Sequence, residues 1–311
     1  MTRPQSFRFG VIVHQAKTKD EWVARAHKAE DLGYSMFLVP DHFGDQLAAV
    51  PALVAAAEAT TAIRLGSFVF DNDFRHPVLL AKEAATIDLL SSGRFELGIG
   101  AGWEQADYEQ AGISFDAGNV RVSRLEEALH IIKGLFAEEP LNFSGKYYTV
   151  TNLDGFPKPI QQPHPPIFVG GGSKRILSLA AREANIVGFG PRSRPDGSGL
   201  DVTDATSEAM ERKVEWIRKA AGERFSELEL NTLVFTVLVT NNRQQASEQL
   251  SHRFQMTAEQ VLEMPHCLVG TIDQITEDLL HRREKYGVSY VSVFDESMEP
   301  FAPVVARLTG K

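Results

Sequence analysis

Eight short apolar or β-branched runs, each separated from the next by an amphipathic stretch, constrain this chain more than any other feature. The runs fall at residues 9–13, 36–39, 63–69, 95–99, 167–169, 185–188, 230–239 and 289–294. Stretches with helical spacing fill residues 19–32, 45–60, 77–90, 120–137, 173–182, 206–221, 244–253 and 271–286. Thr18 and Thr271 stand where N-caps belong, Pro77 in a first turn, and Gly33, Gly93 and Gly287 just past last turns. Runs that are apolar on both faces predict a parallel sheet covered by helices. Eight such units suit a closed (β/α)8 TIM-type barrel better than an open doubly wound sheet. The expected fold class is therefore α/β, with all 311 residues in one barrel domain.

Two segments interrupt the rhythm. Residues 141–166, after the fourth helix, hold the hairpin-like Phe143-Ser144-Gly145-Lys146-Tyr147-Tyr148 and then five prolines. Residues 190–204, with Pro191, Pro195, Gly197 and Gly199, read as a mobile loop after the sixth strand. In a barrel that loop opens on the catalytic face.

Composition removes several function classes. No stretch of about 18 apolar residues occurs and no run of signal-peptide length follows Met1, so neither a membrane nor export is expected. Cys267 is the only cysteine, which excludes an internal disulfide and a thiolate metal site and fits a reducing cytoplasm. A formal charge of -9 argues against nucleic-acid binding, which needs a concentrated basic face. The nine histidines are scattered without a His/Glu pair at ligand spacing, so no metal is expected. There is no Gly-x-Ser-x-Gly elbow either, which speaks against a serine hydrolase.

In a barrel, function gathers where strands end. Those positions carry His14, then Asp41-His42 with Phe43, Ser67-Phe68-Val69, Gly100-Ala101-Gly102-Trp103, and Gly170-Gly171-Gly172-Ser173-Lys174-Arg175. A histidine beside a carboxylate can exchange a proton near neutral pH, with the carboxylate fixing its tautomer. A loop aspartate that caps the next helix beside an exposed histidine is the plainer alternative. The glycine run between an apolar strand and a helix exposes backbone N–H groups to an anion, with Ser173, Lys174 and Arg175 as further donors. It lacks the Gly-Lys-Ser/Thr ending of a P-loop, so nucleotide hydrolysis is not implied. Gly98-Ile99-Gly100-Ala101-Gly102 is one residue short of a dinucleotide fingerprint and lies in the wrong unit for one. Its small residues are expected instead to let a planar ring approach the backbone, with Trp103 as a wall or as core.

Val39-Pro40-Asp41-His42-Phe43, Leu65-Gly66-Ser67-Phe68-Val69, Phe74-Arg75-His76-Pro77-Val78, the block from Leu89 to Trp103, and Pro166-Ile167-Phe168-Val169-Gly170-Gly171-Gly172 resemble the bacterial luciferase-like oxidoreductase superfamily. They are most similar to its deazaflavin branch, which uses coenzyme F420. The resemblance implies a TIM barrel with the deazaflavin or isoalloxazine ring in its mouth, and a non-proline cis peptide expected at Phe68-Val69. It places Asp41 and His42 near the reactive carbon and the coenzyme phosphate on Gly170, Gly171 and Gly172. The implied reaction passes hydride from C5 to an activated C=C, C=N or C=O acceptor while His42 handles the proton. We assign Asp41, Ser67, Phe68, Val69, Gly100, Ala101, Gly102, Trp103, Gly170, Gly171, Gly172, Ser173 and Lys174 to the coenzyme. His14, Phe43 and Trp103 are assigned to the substrate pocket. Lys174, Arg175, Arg192 and Arg194 would supply the positive charge for a charged coenzyme tail.

The chain departs from the family's sugar-phosphate dehydrogenases. They place a carboxylate where it has Trp103, and a tryptophan where it has Gly44-Asp45-Gln46. The expectation is therefore an F420H2-dependent reductase of an apolar or aromatic acceptor. The alternatives are an FMN-dependent monooxygenase and a coenzyme-binding protein without turnover. Specificity is expected from loops 190–204 and 255–268, and the family's habit implies a homodimer.

Overall fold

The computed structural model describes residues 5–194 and 199–311. Residues 1–4, at the start of the segment searched for a leader, lie outside these, as do residues 195–198 of the expected loop, with Pro195 and Gly197. Eight strands form the barrel: β1 (Arg8–Ile12), β2 (Met36–Val39), β3 (Arg64–Ser67), β4 (Phe95–Gly100), β5 (Ile167–Gly171), β6 (Ile186–Phe189), β7 (Glu229–Val234) and β8 (Val288–Phe294). All pair in parallel, in the order β3-β2-β1-β8-β7-β6-β5-β4, and β4 returns to β3 through Leu65↔Phe95 and Gly66↔Glu96. The expected (β/α)8 barrel is therefore the fold. Past that seam the chain passes a cis peptide at Phe68-Val69, where the resemblance placed one, and rejoins β4 as the short strand Phe70–Asp71.

Two layers of apolar side chains hold this shape. Strand residues that point outward meet the surrounding helices in a continuous cluster that includes Phe9, Phe37, Leu65, Leu97 and Val291, all fully buried. Inward-pointing Ile12, Met36, Leu38, Phe168, Ile186 and Tyr290 fill the barrel itself. Alternation along each strand separates the two sets.

The N-terminal end of the barrel is closed by charge. Arg8 donates to Glu96 at 2.6 Å and, through Nε, to Glu229 at 2.6 Å, while Arg64 Nε reaches Glu96 at 2.9 Å. The Arg8 guanidinium also lies 4.1 Å from the centroid of the Tyr290 ring. Each carboxylate thus has a hydrogen-bonded cation, without which its burial would be costly.

The excursions differ from the expectation in one respect. Leu141–Ser144 and Thr149–Leu153 form the expected antiparallel hairpin after the helix Gly118–Phe136. The apolar run at 230–239, however, is two strands, because Phe235 turns its N–H to the His266 carbonyl at 2.8 Å and ends β7. Thr236–Val239 then pairs in parallel with Cys267–Gly270 outside the barrel. Between them run the helices Arg243–Phe254 and Ala258–Glu263, over a small core that includes Phe254, Val261 and Met264. Burial pushes the His266 imidazole down to about 4, and its Nδ1 lies 2.8 Å from the Leu233 carbonyl. The neutral ring can donate that bond, tying the excursion to β7. The helix predicted at 244–253 therefore belongs to this excursion. The eighth barrel helix is Met298–Leu308, whose Pro300 and Pro303 hide its helical period.

Replacing Arg8 by Met should leave Glu96 and Glu229 short of a partner and cost about 3–5 kcal/mol. Urea unfolding checks this: the midpoint should fall in Arg8→Met and partly recover when Glu229→Gln is added.

Candidate active site

A cavity of about 1300 Å³ opens at the C-terminal ends of the strands. Ile12, Phe68, Val69, Phe168, Leu233 and Phe294 give it apolar walls. Inward positions on three adjacent strands carry no side chain at Gly100, Gly170 and Gly188, which also line the cavity and widen it on that side. The glycines of β4 serve the protein itself before any ligand. A Cβ on Gly98 would lie 2.0 Å from the Ser67 carbonyl, and one on Gly100 would lie 2.8 Å from Val69 Cγ2. Gly102, at φ +76°, makes room for the Tyr108 hydroxyl, which a Cβ would approach to 1.9 Å.

His42 and Asp41 part company at the end of β2. Successive residues of an extended chain point to opposite sides. Asp41 turns to Arg75, which donates to both its oxygens at 2.6 and 3.0 Å, and it also accepts from the Asp71 N–H at 3.0 Å. The partner of His42 is a different carboxylate: Asp107 Oδ2 lies 2.6 Å from His42 Nδ1, and its other oxygen accepts from the Phe43 N–H at 3.2 Å. The Trp103 ring meets the imidazole edge to face at 5.7 Å. The expected Asp41-His42 dyad is thus corrected to an Asp107–His42 pair. Both His42 and Asp41 still line the cavity.

Asp107 comes from the short helix Gln105–Ala111, which the helical spacing of the sequence does not predict. Its neighbour Tyr108 donates its hydroxyl to Asp71, 2.9 Å from both oxygens. Burial and the nearby carboxylates push the tyrosine hydroxyl up, so it remains a donor. Arg121 fastens the same segment, donating to the Ala101 carbonyl at 3.0 Å and the Gly102 carbonyl at 3.3 Å. Its guanidinium lies 3.8 Å from the Phe115 ring centroid.

The glycine run ends β5 and opens the helix Lys174–Glu183. Ser173 is the N-cap, yet its side chain makes no capping bond, which leaves the first-turn N–H groups without a side-chain acceptor from it. Gly172 packs against the Pro191–Arg192 backbone, where a Cβ would lie 2.4 Å away. Ser173, Arg175, Arg192 and Arg194 line this part of the cavity. Arg175 is braced by the Asn119 carbonyl at 2.8 Å and Ser123 Oγ at 2.6 Å. The described parts of the loop that follows β6 are tied down. Buried Lys213 reaches Asp204 Oδ2 at 2.7 Å and the Gly190 carbonyl at 2.9 Å, and Asp204 also accepts from the Arg192 N–H at 3.0 Å.

His14, Phe68, Val69, Gly100, Ala101, Gly102, Trp103, Gly170, Gly171 and Gly172 all reach the cavity as expected. Three assigned residues do not line it. Ser67 is buried in the seam, its hydroxyl bonded to the Gly98 carbonyl at 2.7 Å. Phe43 turns out to the surface and packs on Phe74 at 4.3 Å. Lys174 points to solvent beside the glycine run. No residue of the loop 255–268 reaches the cavity either; Phe235, just before the excursion, does. Among the described residues no His/Cys/Asp/Glu group is placed to hold a metal, and no helix is long and apolar enough to cross a membrane.

Barrel, bulge, glycine-rich turn and histidine-lined mouth together define a (β/α)8 barrel with one large cavity at the C-terminal ends of its strands. The luciferase-like monooxygenase family model matches residues 5–288, and the chain belongs to that family. It is 30% identical over 206 residues to an F420-dependent glucose-6-phosphate dehydrogenase from Amycolatopsis mediterranei, covering 63% of this chain and 60% of that protein. It is also 34% identical over 106 residues to an FMNH2-dependent dimethylsulfone monooxygenase from Pseudomonas putida, covering 34% of this chain and 29% of that one. The matches therefore span less than two thirds of either relative. The coenzyme F420-dependent tetrahydromethanopterin reductase from Methanopyrus kandleri shares the fold, with a TM-score of 0.78 at 19% identity over 98% of both chains.

Asp71 gives the site a measurable acid. Burial, reinforced by Asp73 and Asp41 and opposed by the hydrogen bonds it accepts, pushes its carboxyl from 3.8 up to about 6. Its folded value lies above its unfolded one, so its stabilisation is full below about pH 4 and is lost as pH rises through about 6. Asp71→Asn, which keeps an acceptor without the charge, should melt above the parent at pH 8 by the equivalent of about 2 kcal/mol. The gap should shrink by pH 5; thermal melts showing one gap at both pH values would contradict this.

Proposed function

We propose that the chain is a coenzyme F420-dependent oxidoreductase that transfers hydride between deazaflavin C5 and a small organic substrate, working as a reductase of an apolar or aromatic acceptor. The observation that carries this reading is His42 at the wall of a largely apolar cavity, its ring braced by the buried carboxylate of Asp107. The similarity to an F420-dependent relative supports the coenzyme.

The residues present fit such a group. Uncapped amides of the helix Lys174–Glu183 and the guanidinium groups of Arg175, Arg192 and Arg194 suit a phosphate and an acidic tail. Reduced F420, when bound, supplies the hydride. The chain's own residues hold the reactants and handle the proton. Phe68, Val69 and Phe168 exclude water from the inner cavity. Asp107 accepts from His42 Nδ1–H, which fixes the tautomer and leaves Nε2 to give or take a proton at the substrate.

The Pseudomonas putida relative favours a second reading, reduced FMN with oxygen as co-substrate. Fluorescence titration of the apoprotein with F420 and with FMN separates the two: tighter F420 binding is expected, and the reverse preference would move the protein to the monooxygenase reading. With the preferred coenzyme, His42→Ala should lower turnover about 10²- to 10⁴-fold without loss of coenzyme affinity. Asp107→Asn should give a smaller loss. Unchanged turnover in His42→Ala would overturn the role given to the imidazole.

A further inference from the structure

Asn231 lies on β7 with none of its surface exposed, and its side chain lines the cavity. Its Nδ2 donates to Ser292 Oγ at 2.9 Å, while its Oδ1 has no hydrogen-bond partner. Turning the amide end for end would orphan the nitrogen instead. Buried side-chain carbonyls rarely go without a donor, and this one belongs to a residue that lines the cavity.

Asn231 belongs to the lining of the cavity although its own surface is fully buried. The register of β6 and β7 sets Asn231 beside Gly188. Gly170, Gly188 and Gly190 line the cavity with bare backbone along this wall. The Phe168 ring closes its lower edge, 2.3 Å from where a Gly188 Cβ would be. Around the barrel, β7 stands four strands from β3, so Asn231 faces the Phe68-Val69 bulge from across the cavity.

We propose that Asn231 Oδ1 is the recognition point for the substrate, and that the site takes small, mainly apolar molecules whose inner end carries an O–H or N–H donor. Resting on the coenzyme reading above, the ring occupies the Phe68-Val69 side and leaves the Asn231 side to the substrate. A donor at that end satisfies Oδ1, whereas an isosteric ether or alkyl group strands it. That asymmetry is what makes a buried polar group selective.

Phenol and anisole, which differ by a methyl group on oxygen, test this by ligand-observed NMR on the F420-loaded full chain. Phenol should bind about fivefold tighter or more, and Asn231→Leu should remove the preference while leaving F420 affinity unchanged. Asn231→Ala provides the same comparison if the leucine variant does not fold. Equal binding of the two probes to the parent protein, or a preference that survives in both variants, overturns the proposal. Loss of F420 affinity in the variants would hand Asn231 to the coenzyme and overturn it as well. Should the parent bind no F420, the probes are compared on the apoprotein. A preference that Asn231→Leu removes then upholds the recognition point although the coenzyme reading has failed.

Discussion

The seam between β3 and β4 is where the barrel closes, and the site is built on it. Closure there is a matter of close approach: the Ser67 hydroxyl bonds both the Gly98 carbonyl, at 2.7 Å, and the Gly98 N–H, at 3.0 Å. The Ser67 carbonyl occupies the space a Gly98 side chain would need. Once the strands are held this near, the next residues, Phe68 and Val69, are displaced into the mouth. Asp71 follows them to Gly100 and Tyr108. Any side chain at Gly98 would pry the seam open and move the cavity wall with it.

Charge placement at the mouth follows from what the seam brings together. Asp41, Asp71 and Asp73 crowd one side, and the charges of Asp73 and Asp41 add to the cost of ionising Asp71. Arg75 answers Asp41 with two bonds and Arg124 reaches Asp73 at 3.2 Å, but Asp71 has only the tyrosine hydroxyl and a backbone N–H. Its burial therefore goes without a cationic hydrogen-bond partner and pushes its carboxyl up. The consequence for His42 is direct. With Asp41 engaged by Arg75, the imidazole depends on a carboxylate from another segment, Asp107, which also accepts from the Phe43 N–H.

How much of this the sequence carried depends on the range of each interaction. Period and end signals act within a few residues, and they marked all eight barrel strands and seven of the eight surrounding helices. Met298–Leu308 escaped because its two prolines disguise the period, although Phe301, Val304, Val305 and Leu308 still pack inward. The break at Phe235 escaped because a carbonyl 31 positions away, at His266, imposes it. The same distinction holds in the site. His42, Trp103 and the glycine run were legible from their place at strand ends. Asp107 was not, since 65 residues separate it from His42. Adjacency pointed to Asp41 instead, and the alternation of an extended chain defeats that inference.

The helix Gln105–Ala111 serves both His42 and Asp71. Asp107 and Tyr108 are consecutive, so on a helix they project about 100° apart, one toward His42 and the other toward Asp71. Arg121 fixes the backbone of the strand exit just before that helix, and a Gly102 without side chain lets the tyrosine through. The imidazole and the buried acid of the seam are therefore bonded by consecutive residues of one short helix and not by two independent loops. A shift of this helix that lengthened the bond to His42 would also disturb the hydroxyl that Asp71 accepts. Rotation and register of Gln105–Ala111 thus bear both on the orientation of the imidazole and on the hydrogen bond that the buried Asp71 accepts.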